Sequence, residues 1–216
     1  MRDQYQQQLD RVLTELVQMT GDVRIALNEA TQALLNADVT AAEAVISGDM
    51  AIDEARERIE HESIDILARQ APVAGDLRML VASLRMVADL ERMGDLSVHV
   101  AKVARLRFPT RAVPPVLVPT IQQMAQTADE MIASAAQIVA SRDADAAREL
   151  ESADDTMDTL RRSMFRILLS ENWDEGVEPA VDMALIGRYY ERIGDHAVSM
   201  ARRIVFLVTG KHPAAV

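Results

Sequence analysis

Glu91-Arg92-Met93-Gly94-Asp95 recurs as Glu191-Arg192-Ile193-Gly194-Asp195, and each copy sits inside a segment patterned as a long helix. Residues four apart share a helix face, where like charges repel by a few tenths of a kcal/mol. A glycine in the same turn costs roughly another 1 kcal/mol against alanine. Two locally unfavourable choices, made twice in the same register, require a reason other than helix formation.

Working outward, the chain is an internal repeat. Leu9, Leu13, Leu16, Thr20, Val23, Leu27, Ala30 and Leu34 step by four and three, the spacing of a helix face. Ile121, Ala125, Ala128, Ile132, Ala135 and Val139 continue the same stripe 105 positions later in the 216-residue chain. Asp38 then maps onto Asp143, Val45 onto Leu150, Ile52 onto Met157 and Ile59 onto Met164, while the E-R-x-G-D motifs lie 100 apart. The second copy is therefore five residues shorter in the preceding hairpin.

Each copy reads as three helices: about 4–36, 40–69 and 74–107, then 115–141, 143–170 and 176–209. Thr40-Ala41-Ala42-Glu43 has the form of a capping box at the first turn. Breaks fall at Ala71-Pro72 and between Asn172 and Gly176, and the proline-rich joint Phe108 to Pro115 separates the copies. The expected fold is all-α: two tandem three-helix bundles, residues 1–108 and 114–210, related by a pseudo-repeat.

The repeat exposes a second acidic pair, Asp49 and Asp53, matched by Asp154 and Asp158. In an antiparallel hairpin, residues whose numbers share a constant sum lie level. Asp49 with Asp95 and Asp53 with Glu91 share one such sum, centred on Pro72. Asp154 with Asp195 and Asp158 with Glu191 share another, centred in the Asn172–Gly176 turn. Each bundle should thus hold four carboxylates at one height, on or beside the apolar seam. Such a cluster is costly unless protonated, paired or metal-bound. An all-oxygen set suits Fe, Mn, Mg or Ca, with Zn or Ni behind them.

The competing reading is salt bridging to Arg56, Arg85, Arg92, Arg161, Arg188 and Arg192, and a lone D-x-x-x-D is usually a solvated face. Four of them in two copies shift the balance toward a cation site. His99 and His196 do not repeat, their counterparts being Ser199 and Leu96, and His61 and His212 have no partner pattern. The Glu-x-x-His signature of di-iron bundles is missing, as are P-loop, G-x-S-x-G and nucleotide-binding glycine patterns. The twelve methionines read as core filling. A formal net charge of −11 disfavours nucleic acid and an anion pocket held by Lys and Arg alone. The chain has no cysteine, so thiolate metal sites and disulfides are excluded. No apolar run reads as a signal peptide or a spanning helix, so the expected location is cytoplasmic, peripheral to the membrane only through partners.

At Arg69-Gln70-Ala71-Pro72-Val73-Ala74-Gly75-Asp76-Leu77-Arg78, Asp89-Leu90-Glu91-Arg92-Met93-Gly94-Asp95 and Tyr190-Glu191-Arg192-Ile193-Gly194-Asp195-His196-Ala197, the chain resembles the PhoU family of phosphate-transport accessory proteins. The resemblance spans nearly the whole sequence. It implies multinuclear metal clusters on the acidic motifs, iron foremost, with zinc, nickel, manganese or magnesium as alternatives. The ligands would be Asp49, Asp53, Glu91, Asp95, Asp154, Asp158, Glu191 and Asp195. It also implies a homodimeric negative regulator, not an enzyme, whose partners are a phosphate ABC transporter ATPase subunit and a sensor histidine kinase. Asp76-Leu77-Arg78 matches a family signature without a second-copy equivalent, and no phosphate pocket is legible in the sequence. A carboxylate-bridged metalloenzyme and a metal-free helical scaffold are the alternative readings.

Overall fold

The apolar stripes become six long helices: α1 (Arg2–Asn36), α2 (Val39–Gln70), α3 (Ala74–Arg107), α4 (Val118–Ser141), α5 (Ala144–Leu168) and α6 (Val177–Thr209). This computed structural model describes residues 2–210, except the side chains of residues 2, 3, 151 and 152; Met1 and His212 lie outside the described residues. Both first-helix stripes are buried, apart from a half-buried Leu13. On α3, Leu77 near the hairpin end is 41% exposed, and the buried face begins at Met79.

Two expectations about helix starts are corrected. The cap of α2 is Asp38, whose carboxylate accepts from the Ala41 N–H at 3.0 Å, so Thr40 lies inside the helix and no Thr40–Glu43 capping box forms. Asp143 caps α5 in the same way, accepting from the Asp145 and Ala146 N–H groups. A carboxylate at a helix start also meets the positive end of the helix dipole. In both turns the residue before the cap is left-handed, Ala37 at φ 54° and Arg142 at φ 56°. At the joint, Pro115–Leu117 forms a short 3-10 turn, and α4 begins three residues later than expected, with Pro119 in its first turn.

Helices α1, α2 and α3 pack on one another, as do α4, α5 and α6, and the two sets join through α1 against α4 and α3 against α6. One apolar core runs through both copies. The join is pseudo-symmetric. Arg24 of α1 grips Asp129 of α4 with two hydrogen bonds, Nε to Oδ1 at 2.9 Å and Nη2 to Oδ2 at 2.8 Å. These residues occupy the same repeat position, 105 apart, so the pseudo-dyad passes between them. Asn28 Nδ2 adds a third bond to the Asp129 carboxylate.

Helices α3 and α6 run antiparallel about the same axis. Near one end, Arg107 grips Asp182 and Glu178. Toward the other, buried Asp89 accepts from Arg203 Nε at 2.9 Å and Ser199 Oγ at 3.2 Å, and pairs with His196 Nδ1 at 3.0 Å. The ring of His99 stacks on Tyr189 at 5.3 Å between centroids. Tyr190, fully buried, ties α6 to α1 through its 2.8 Å contact with Thr31 Oγ1. Thr31 already donates to the Leu27 carbonyl, so the phenol is the donor, and burial pushes its pKa up.

Two stability predictions follow from this packing. The guanidinium of Arg24 holds the Asp129 carboxyl below the usual carboxylate range, with help from Asn28. A depressed acid contributes stability that is present above its unfolded pKa and lost as pH falls through its folded pKa. Asp129→Asn is expected to cost roughly 1 kcal/mol at pH 7, discounted because Arg24 is 39% exposed, and to flatten the acid limb of stability against pH. Urea unfolding between pH 3 and 7 checks both. Separately, Gly21→Ala meets nothing within 4 Å and should stabilise by about 0.5–1 kcal/mol. Gly94→Ala should gain less or lose, because its new Cβ would stand 3.1 Å from Ile52 Cδ1. Comparative melts with equal shifts for the two variants would contradict the packing at Gly94.

Candidate functional site

The acidic positions of each copy meet across one helix pair at mid-height. The E-R-x-G-D glycines mark where they meet. Beside Gly94, a Cβ would meet Ile52 and, at 3.5 Å, Oδ1 of Asp49; beside Gly194 it would meet Met131 and, at 3.8 Å, Oδ1 of Asp154. The missing side chain on α3 and α6 lets Ile52 and Met131 approach closely, with the carboxylates of Asp49 and Asp154 in ordinary contact beside them. The same register appears in the electrostatics. Burial raises the Asp49 pKa first, then the charges of Asp95 and Asp53, with Glu91 contributing less. Asp154 is raised by burial, then by Asp195 and Asp158. Burial and Glu191 raise Asp195. In each copy the acids on the second and third helices thus face one another.

The side chains do not close round a common point. Among the described residues no three His, Asp or Glu side chains come close enough together to hold a metal ion. Arginines occupy them instead. Arg92 reaches Asp95 at 3.1 Å and Glu91 at 3.6 Å, and Arg56 lies 3.9 Å from Asp53. In the second copy Arg162 holds Asp158 at 2.9 Å, while Arg161 and Arg188 approach Glu191 at 3.1 and 2.6 Å. Glu191 is the one buried acid of the eight; Asp53 and Asp195 are exposed and the rest half-buried. The clusters therefore sit on the rim of the core, not within it. Arginine on a surface carboxylate is worth about 0–1 kcal/mol, little enough to be exchanged for a stronger ligand.

Two basic residues belong to this arrangement and went unread in the sequence. Lys102 lowers the pKa of Asp49 and Arg202 that of Asp154. They are repeat equivalents, 100 apart, and that offset was the signal that would have found them. His99 and His196, by contrast, fail to repeat because they serve the junction between copies. Asp76 also has a structural place: its carboxylate accepts from the Tyr5 hydroxyl at 2.9 Å, fastening α1 to α3. Nε of Arg78 is buried without a hydrogen-bond partner. No helix among the described residues is long and apolar enough to cross a membrane.

This geometry has known relatives. The profile of the PhoU domain matches the chain twice, at residues 16–104 and 121–204, covering the two copies. The phosphate-specific transport system accessory protein PhoU homolog 2 of Mycobacterium tuberculosis is 45% identical over 213 residues, covering 99% of this chain and all of that protein. Homolog 1 of the same organism is 41% identical, covering 99% and 96% respectively. The crystal structure of PhoU from Pseudomonas aeruginosa superposes with a TM-score of 0.89 at 30% identity, covering 96% of this chain and 100% of that one. The phosphate transport system regulatory protein PhoU from Streptococcus pneumoniae shares the fold at TM-score 0.88 and 23% identity, over 98% of this chain and all of the other. With its two matched repeats and full-length relatives, the chain belongs to the PhoU family, whose members are named as accessory and regulatory proteins of phosphate transport.

Proposed function

We propose that this protein is a non-enzymatic negative regulator of phosphate uptake and of phosphate-starvation signalling. In the cytoplasm it acts as a homodimeric adaptor between the ATPase subunit of a phosphate ABC transporter and a sensor histidine kinase. The observation that carries the reading is the pair of acidic clusters, held in one register in both halves of a PhoU-family chain. Nothing in the repeat sets a general base or nucleophile beside each cluster, which argues against a reaction centre.

The clusters are the candidate metal positions. Asp49, Asp53, Glu91 and Asp95 would hold one cation or multinuclear group, and Asp154, Asp158, Glu191 and Asp195 the other. Iron is the foremost candidate, with zinc, nickel, manganese or magnesium behind it. Oxygen donors alone suit hard cations, and a cation would relieve the repulsion that raises Asp49, Asp154 and Asp195. The residues fit in height and chemistry. To bind, they would have to release Arg56, Arg92, Arg161, Arg162 and Arg188. Those same contacts favour a second reading, a metal-free scaffold in which the acids serve only as arginine partners.

Two measurements decide between these readings. Protein purified without chelator should carry metal, and Glu91→Gln with Asp95→Asn should lose about half of it, leaving the second cluster loaded. Unchanged metal content in that variant would remove the ligand assignment. For the regulatory role, deletion of the gene should raise alkaline phosphatase and transporter expression in phosphate-rich medium, with restoration on complementation. Expression that stays repressed in the deletion strain would refute the regulator.

A further inference from the structure

Between the two acidic clusters, where α3 and α6 cross on the pseudo-dyad, a cleft of about 370 Å³ is lined by Arg92, Asp95, Leu96, His99, Arg192 and His196. It is built from equivalent positions of both copies: Arg92 with Arg192, and Leu96 with His196. In a chain of net charge −11, this wall carries two guanidiniums and two imidazoles against one carboxylate. That carboxylate, Asp95, is already bound by Arg92 through its Oδ2. Opposite it, Arg192 makes no hydrogen bond or ion pair among the described residues and is solvent-exposed, its charge lowering the pKa of neighbouring Asp195. An unpaired arginine in a concave wall is a donor fork without an acceptor, and planar guanidinium forks match tetrahedral oxyanions in bidentate fashion.

The remaining lining refines the choice of anion. His196 turns its Nδ1 to Asp89, which is itself fixed by Arg203 and Ser199, so the ring is held with Nε2 as its free nitrogen. His99 is held in place by its stack on Tyr189. A site offering guanidinium donors together with a carboxylate acceptor discriminates between anions of similar shape. Monohydrogen phosphate has a P–OH to donate to that carboxylate, whereas sulfate has none and would leave it facing its oxygens.

We infer that the dyad cleft between α3 and α6 is a binding site for free inorganic phosphate, with Arg192 and Arg92 as the anion-holding residues and Asp95 selecting the protonated anion. This deepens the proposed regulatory role by giving the protein its own phosphate contact. Its test reads binding on the isolated chain, whereas the regulatory reading is judged by gene expression, so either can fail alone.

The experiment is titration calorimetry of the full-length protein, kept in chelator so that no metal contributes, with inorganic phosphate, sulfate and glycerol 3-phosphate at pH 7.5. Phosphate should bind at least tenfold more tightly than sulfate, and Arg192→Gln should weaken it at least tenfold, the loss expected for one charge-assisted hydrogen bond. Arg148→Gln, on α5 and paired with Asp145, should leave binding unchanged, and far-UV circular dichroism should show all variants helical. Absence of phosphate binding would overturn the inference, as would equal affinity for sulfate or an Arg192→Gln variant that binds normally. Tighter binding of glycerol 3-phosphate than of phosphate would overturn the assignment to the free anion, in favour of an esterified one.

Discussion

The structure depends on the register in which two copies of one three-helix unit meet. Arg24 and Asp129 are the same position of the repeat, yet they form an ion pair with each other. That is possible only if the copies are related by a two-fold axis running between them. Once α1 and α4 cross at this point, the hairpin geometry of each copy places α3 against α6 at the same height. Asp49, Asp95 and their counterparts then fall at the waist of the molecule. A register slip of one turn at the Arg24–Asp129 contact would move every polar partner across α3 and α6 by about 5 Å and leave Asp89 and Asp182 as unpaired acids in an apolar interface. The contact thus specifies the arrangement more than it stabilises it, as its partly exposed position requires.

The waist carries its acids at a cost that the surrounding residues reduce without removing. Burial and mutual repulsion hold Asp49, Asp154 and Asp195 above the ordinary carboxylate range, although Lys102, Arg202 and Arg188 oppose this. The arginines that touch the acids are mostly exposed and stand on the same helix or the neighbouring one, so their hold is weak and reversible. The glycines give up helix propensity for the close approach of Ile52 and Met131, which stand beside Asp49 and Asp154. A fold seeking only stability would place neutral residues at 49 and 154. Two copies retain the opposite choice, which is the physical reason for proposing a ligand at these positions.

The repeat made the fold legible. Stripes spaced by four and three, prolines at the breaks and the constant-sum rule were sufficient to place all six helices and to set Asp49 level with Asp95, because these features depend only on helix geometry. The cap of α2 was misread because Thr40 and Glu43 spell a familiar motif, while Asp38 makes the bond one residue from the turn. Its recurrence as Asp143 was the better guide. What the sequence could not reveal lies between the copies. Asp89, His196, Ser199, Arg203, Tyr190 and Thr31 are joined by contacts spanning more than 100 residues, and none of them shares its identity with its repeat counterpart. Periodicity finds what is repeated and is blind to complementarity between unlike residues.

That blindness has a physical origin in the fusion of the two halves. In a symmetric dimer every residue near the axis meets its own kind or a fixed partner twice, so an acid suited to one side must also suit the other. In a single chain the equivalent contacts are free to diverge. Positions 89 and 199 are joined by an Asp–Ser hydrogen bond, while the equivalent 189 and 99 form a Tyr–His stack. Position 96 is an apolar leucine and position 196 a histidine bound to Asp89. Away from the axis, the acidic clusters remain nearly identical, as they must if each copy performs the same task. Toward the axis, Arg92 and Arg192 stay alike in identity but differ in state, one occupied by acids of its own helix and the other unpaired. A duplicated fold thereby acquires one feature that neither half possesses: a cleft whose two walls carry the same arginine and different hydrogen-bonding capacity.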